Sequence, residues 1–277
     1  VRVRARPLVA GRARHRRRDI PDLSAHLPRL RALFFAGDLV EACRQTNDLL
    51  HWPPEGEFDG RKRIDPYQPA GELTLRLWRA RTTDYRRELD LAQAVVTLSC
   101  RRDGAPFTRE VFAHAALPVL VVRDRFDAPH GLRGTAGLSR RGDPECRLAP
   151  WADTHAFGFV GEFLEGSRFA LEVRARATGG ALTTTPGFAA LEFRGCRECL
   201  YLLSIAVAHD GEDPRALCAA QLDAAPLDFN ALLAGHREAH SRLYGRVHLD
   251  LQRPSDPRPT EERLAAYRRL LEESPRP

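Results

Sequence analysis

Residues 85–114, "YRRELDLAQAVVTLSCRRDGAPFTREVFAH", alternate apolar and polar side chains, turn once, and alternate again. A period of two places successive side chains on opposite faces of an extended chain, so the stretch reads as a β-hairpin with one face on a core. Asp103-Gly104 marks its turn. A two-residue hairpin turn of the favoured kind needs positive φ at both central positions, which Asp tolerates and Gly adopts freely. This register puts Phe107, Arg109, Val111 and Ala113 on one face and Thr108, Glu110, Phe112 and His114 on the other. With one face in water, either Phe107 or Phe112 is expected in the core, but not both.

Such a ribbon needs partners, and the flanking sequence supplies them. "ELTLRLW" alternates before it, and Pro118 opens the apolar strand "VLVVRDRF" after it. Residues 127–153, rich in Gly, Arg and Pro, read as an exposed connection. Strands resume at "HAFGFVGEF", "RFALEVRARA", "ALTTT", "FAALEFRG" and "CLYLLSIAVAHD", with Gly179-Gly180 as a second tight turn. Many strands with short turns and no helices between them predict antiparallel sheets packed face to face, a mainly β super-sandwich.

Helices flank it. Ser24 is placed to cap a helix whose Leu27, Leu30, Leu33 and Phe34 share one face and which stops at Gly37; a second runs from Leu39 to about Leu50. Residues 51–71 read as loop. From Pro214 the period is helical again, through "PRALCAAQLDAA" and "DFNALLAGHREAHSRLYGRV". A short strand "VHLDL" and a linker follow, and Thr260 opens a last helix carrying Leu264, Tyr267, Leu270 and Leu271 on one face. That stripe predicts a packing partner, or self-association through the C-terminal helix.

The 277 residues, 43% of them hydrophobic, suffice for a large core. A net charge of +6 raises the question of nucleic acid, yet Lys62 is the single lysine, and the arginines are interleaved with acidic residues, as in "EERLAAYRRLLEE". No basic face of the kind phosphates require emerges, so no nucleic-acid partner is expected. No run reaches the ~18–20 apolar residues of a membrane span, so no membrane partner is expected and the chain reads as soluble. "VRVRARPLVAGRARHRRR" lacks the apolar segment of a signal peptide, and the compartment, secreted, periplasmic or cytoplasmic, stays unassigned. With no methionine, the chain reads as a processed product or a fragment.

No residue pattern announces catalysis. Cys196 and Cys199 have CxxC spacing but enter an apolar strand and lack a second ligand pair, so they are expected to be buried or half-buried thiols; with Cys43, Cys100, Cys146 and Cys218 they are too scattered for a disulfide-stapled scaffold. His236 and His240 stand four apart without a third ligand; no metal and no cofactor is expected. Glu88 with Asp90, and Glu110 with Glu162, are the acidic pairs to be weighed against the ~6.5–9.5 Å that an inverting glycosidase requires. Arginine neighbours make a surface ion-pair network the expected role of the first pair. Trp78 ends an alternating strand and reads as core or domain interface. Trp52 and Trp151 fall in predicted loops and are the candidate sugar contacts.

Several stretches together resemble the N-terminal domain of glycoside hydrolase family 95, the α-L-fucosidases. They are "RDIPDLSAHLPRLRALFFAGDLVEA" (18–42), "YQPAGELTLRL" (67–77), "YRRELDLAQAVVTLS", "FTREVFAH", "HREAHSRLYGRVHLDL" (236–251) and "PTEERL". "YRRELDL" alone is shared with maltose-phosphorylase relatives that use the same sandwich. The resemblance runs from about residue 18 to about 271; residues 1–17 do not match the family's opening strands. It implies a sandwich over 18–226 with a helical insert at 24–50, and a helical linker over 227–277 leading towards an (α/α)6 catalytic barrel. The catalytic groups would lie in that barrel, so no catalytic residue carries over to this chain. The parent enzyme would cleave fucose from oligosaccharides with inversion and without a metal. The alternatives are a relative acting on α-L-galactosides or another sugar, and a stand-alone carbohydrate-binding or scaffold module.

Overall fold

The computed structural model describes residues 2–5, 8–9, 23–50, 67–164, 166–185, 187–208, 211–249 and 256–273. Two short strands, β1 (Arg2–Ala5) and β2 (Leu8–Val9), precede a helical pair, α1 (Leu27–Phe35) and α2 (Leu39–Leu50). Strands β3 (Tyr67–Gln68), β4 (Gly71–Leu77), β5 (Thr82–Asp90), β6 (Val95–Arg102), β7 (Ala105–Ala113) and β8 (Val119–Phe126) follow. Next come β9 (Leu132–Ser139), β10 (Cys146–Ala152), β11 (Ala156–Phe163), β12 (Arg168–Thr178), β13 (Ala181–Thr184), β14 (Ala190–Cys196) and β15 (Glu198–Ala208). Helices α3 (Pro214–Asp223), α4 (Phe229–Tyr244) and α5 (Thr260–Glu273) end the described chain.

An eight-stranded antiparallel sheet, ordered β10-β11-β12-β15-β8-β7-β6-β5, packs on a five-stranded one, ordered β1-β4-β9-β14-β13; β2 and β3 pair separately. The expected mainly β sandwich with flanking helices is what the chain forms. Its hairpin turn is as the sequence requires, with φ of 49° at Asp103 and 83° at Gly104. The exposed strand β5 carries "RRELD" and a register shift between Thr83 and Arg86 at the sheet edge. Charge and irregularity there discourage pairing with another chain.

The core between the sheets is aromatic and aliphatic, with Phe107, Phe157, Phe159, Phe169, Leu171 and Phe193 among its buried members. Phe112 is buried as well, in a second core on the opposite face of the large sheet, with Val121, Leu202, Leu222, Phe229 and Leu232. The expectation that only one of Phe107 and Phe112 is buried therefore fails. Helices α3 and α4 cover the outer face, so period-two alternation distributes side chains between two cores rather than between core and water. The same burial explains why "CLYLLSIAVA" hardly alternates: β15 lies mid-sheet with both faces covered, as apolar runs do in doubly covered sheets.

Residues 127–153 are not simply an exposed connection; they contain β9 and the whole of β10. The glycines that suggested a loop mark close backbone approach instead. A Cβ at Gly134 would lie 2.0 Å from the Arg76 carbonyl oxygen and 2.8 Å from the Phe193 ring. Helix α1 begins after His26 rather than after Ser24, which lies in the preceding turn; Pro28 sits in the first helical turn, where its fixed φ suits the start. Gly37, at φ 79°, ends it, with the Gly37 and Asp38 amides returning to Phe34 and Leu33. Asp213 and Asp228 cap α3 and α4 by accepting from the Arg215 and Ala231 amides. Residues 247–249 of the expected strand "VHLDL" are not in a strand, and the rest of it lies outside the described residues. Among the described residues no helix is long and apolar enough to cross a membrane.

Candidate functional site

Neither acidic pair is built for glycoside hydrolysis. Glu88 accepts from Arg86 at 2.8 Å, and Asp90 accepts from the Gln93 amide at 3.0 Å. Glu110 pairs with Arg123 on the helical face of β7. Its would-be partner Glu162 stands on β11, four strands away in the sheet order. At ~4.8 Å per strand that is roughly 19 Å, about twice the greatest useful separation.

The histidines at 236 and 240 serve a seam. His236 is buried; its Nδ1 accepts from the Ala115 amide at 3.1 Å, and its Nε2 faces the Gln93 carbonyl at 2.9 Å. These bonds specify the neutral ring with the proton on Nε2. The ring stacks on Phe112 at 4.6 Å, and His240 Nε2 meets the Leu91 carbonyl at 3.0 Å. Together they fasten α4 to the ends of β5 and β7. His114 packs beside His236 at 5.9 Å, and burial, then the neighbouring imidazole, lowers its pKa from the ordinary value. Among the described residues no group of three His, Cys, Asp or Glu could hold a metal ion.

Cys100, Cys196, Cys199 and Cys218 are free and buried; Cys43 is exposed and Cys146 half-buried. Cys196 and Cys199 project into the sheet-to-sheet core from β14 and β15. The contact between the two thiols, with burial, pushes Cys199 up. Nearby Arg109 donates to both carboxylate oxygens of Asp124, at 2.5 and 2.6 Å, in full burial. The buried Tyr201 hydroxyl has no hydrogen-bond partner among the described residues, and burial first, then Cys199 and Asp124, push its ionisation well up. This polar cluster is sealed from solvent and serves the core.

Of the tryptophans, Trp52 lies outside the described residues. Trp151 is on a strand rather than in a loop, because β10 pairs with β11 along its whole length. Its indole lies over Gly158, where a Cβ would come within 2.9 Å of the ring, and the Arg215 guanidinium covers it at 4.0 Å. Trp78, read from the sequence as core or interface, is 53% exposed.

Trp78 stands at a cleft where three chain reversals meet. The end of β4 contributes Trp78 and Arg79, the β6–β7 turn Arg102 and Asp103, and the approach to β9 His130 and Arg133, around a cavity of about 200 Å3. Backbone bonds fix the floor. The Trp78 amide donates to the Arg133 carbonyl at 3.0 Å, and Arg102 Nη2 donates to the Trp78 carbonyl at 2.5 Å. Asp103 Oδ1 accepts from the Arg81 amide at 2.8 Å. The Arg133 guanidinium stands 5.8 Å from the indole ring, and His130 meets Phe126 edge-on at 5.4 Å. Among the described residues neither Arg79 nor Arg133 makes an ion pair. The cleft can hold a ring and an anion; it has no nucleophile and no general base held against one. Its residues come from positions 78–79, 102–103 and 130–133, and no local pattern signals that these turns meet at one end of a sandwich.

A family model described as glycosyl hydrolase family 65, N-terminal domain, matches residues 10–210. Among solved structures, one described as a kojibiose phosphorylase from the human microbiome is similar at a TM-score of 0.43 and 12% identity, over 62% of this chain and 24% of that one. A bacterial glucoamylase complexed with acarbose is similar at a TM-score of 0.38 and 10% identity, over 62% of this chain and 31% of that one. The chain thus spans 24% and 31% of the length of these two structures. No curated protein sequence matches it.

Proposed function

The chain belongs to the family of glycosyl hydrolase family 65 N-terminal domains, and from that premise we propose that it is the sandwich domain of an α-L-fucosidase-like glycoside hydrolase. The observation that carries this reading is the coincidence of the match over residues 10–210 with the family 95 resemblance of "YQPAGELTLRL", "YRRELDLAQAVVTLS" and "FTREVFAH". In this reading residues 18–226 are the sandwich with its 24–50 insert, and 227–277 lead to a catalytic barrel. The sandwich supplies a rigid platform and the barrel supplies the chemistry, with an oligosaccharide bound through the barrel.

The stretch "YRRELDL", which also resembles maltose-phosphorylase relatives, favours a second reading, in which the parent uses phosphate rather than water to cleave its glycoside. The test is to express the coding region that contains this chain and assay three substrates. Phosphate-independent release of fucose from 2'-fucosyllactose is the expected result. Release of galactose from an α-L-galactoside instead would move the specificity, and phosphate-dependent formation of a sugar 1-phosphate from kojibiose would replace the hydrolase reading. This chain by itself should give no turnover, since binding alone does not supply the rate gains of about 10⁶ or more that enzymes reach.

A further inference from the structure

We infer that the Trp78 cleft is a binding site for an acidic saccharide, a sugar ring bearing a carboxylate or sulfate. Two independent features of the cleft point the same way. The first is the indole: Trp78 is 53% exposed on a backbone held at both its amide and its carbonyl, whereas the Trp151 indole is covered by Arg215. An exposed indole whose nearest guanidinium, that of Arg133, stands 5.8 Å from the ring suits the C–H face of a pyranose, and the cavity, at about 200 Å3, is below the range of about 300–1,000 Å3 typical of larger ligands.

The second is the charge. Arg79, Arg102 and Arg133 line the cavity with His130, against one carboxylate, Asp103. Asp103 already accepts from the Arg81 amide, and Arg102 is committed to the Trp78 carbonyl. Arg79 and Arg133 thus remain for the ligand. Guanidinium groups offer a planar fork that matches a carboxylate or sulfate with two parallel hydrogen bonds. A neutral sugar would use the indole and leave the two guanidinium groups unmatched, whereas a bare anion would use the guanidinium groups and leave the indole in water. An acidic sugar uses both. Elsewhere the arginines are interleaved with acidic residues, so the positive cleft does not continue into a track for a nucleic-acid backbone.

This inference does not depend on which glycoside the parent enzyme cleaves. It is tested on the whole chain by calorimetry and by tryptophan fluorescence, with a glucuronate-containing disaccharide and a sulfated disaccharide as probes, and with maltotriose, 2'-fucosyllactose and inorganic sulfate as comparisons. Saturable binding of at least one acidic disaccharide is expected, tighter by about tenfold or more than that of either neutral sugar or of sulfate, and weakened as salt screens the charges. Trp78→Ala and Arg133→Gln should each weaken it by about tenfold at an unchanged urea midpoint, because both side chains are exposed. Equal binding of neutral and acidic sugars, equal binding of sulfate alone, no binding of any acidic disaccharide, or binding indifferent to both substitutions would each overturn the inference.

Discussion

The two faces of the eight-stranded sheet are covered by different kinds of structure. The inner face meets another sheet, and its core is Phe, Leu and Val closed around one buried ion pair, Arg109–Asp124. The outer face meets α3 and α4, and there the apolar cluster is interrupted by groups that titrate or donate: His236, His114, Glu172 and Ser204. Strands present a ladder whose backbone groups are already paired, so a sheet-to-sheet core needs few polar side chains. Loops that run up to a helix leave amides and carbonyls to be satisfied, as the Ala115 amide and the Gln93 carbonyl are by His236. The inner core is thus a matter of volume, and the outer one also a matter of protonation.

The largest test of this difference is truncation on each face. Phe107→Ala and Phe112→Ala should each cost about 3–5 kcal/mol. The two residues are five apart on β7, roughly 17 Å, and sit in separate cores, so the double variant should lose close to the sum. Urea unfolding measures both; a Phe112→Ala protein as stable as the parent would show the helices to be loosely applied. On the inner face alone, breaking the ion pair with Asp124→Ala should cost about 3–5 kcal/mol, because Arg109 is left charged in the core. Replacing both partners with apolar residues should restore most of it, which chemical denaturation of the single and double variants would show.

Acid should act on the outer face. His114 has its pKa lowered in the fold, by burial first and then by His236. The unfolded chain takes up this proton near pH 6.5, so the contribution of His114 is intact above that value and declines as pH falls towards its folded pKa. Glu172 acts in the opposite sense. Burial raises its pKa, with Arg174 opposing, so its ionisation cost appears as pH rises through about 4.5 and is relieved by acid. The fall in urea midpoint from pH 7.5 to 5.5 should therefore shrink in His114→Gln, and the relief that comes as pH falls towards 4.5 should be lost in Glu172→Gln. No change in either variant would remove the contrast between the faces.

Much of this architecture is legible in the sequence because it is local. The Asp103-Gly104 turn, the β6 and β7 register and the ends of α2, α3 and α5 follow from period, turn chemistry and caps. What is not legible is what covers what. Nothing near Phe112 states that a helix more than a hundred residues later will lie on it, and the glycines of β9 look the same in a loop as under a neighbouring backbone. The Trp78 cleft was hidden for the same reason, since three turns far apart in sequence supply it.

Two smaller tests remain. Helix α5, unlike α4, buries none of its residues, and Leu264, Tyr267, Leu270 and Leu271 are 47–60% exposed. We propose that this stripe covers the junction with the barrel. The chain on its own should then self-associate, and ending it after Leu251 should reduce light scattering at matched concentration; a full chain that stays monomeric would count against the stripe as a docking face. Thiol labelling gives the smallest effect: Cys43 should react quickly and Cys146 slowly, and the four buried thiols only on unfolding. Early reaction of Cys196 or Cys199 would mean that the sheets part in the native state.

The position of β15 also dictates an order of assembly. It lies between β12 and β8, yet it is the last strand of the large sheet to leave the ribosome. Until residue 208 has emerged, β10-β11-β12 and β8-β7-β6-β5 are separate ribbons, and the apolar strands "FALEV" and "VLVV" each present an open edge. A growing chain at this stage is prone to pair with the wrong strand, so the interval before β15 emerges is when a chaperone or a slow stretch of translation would matter most to its yield.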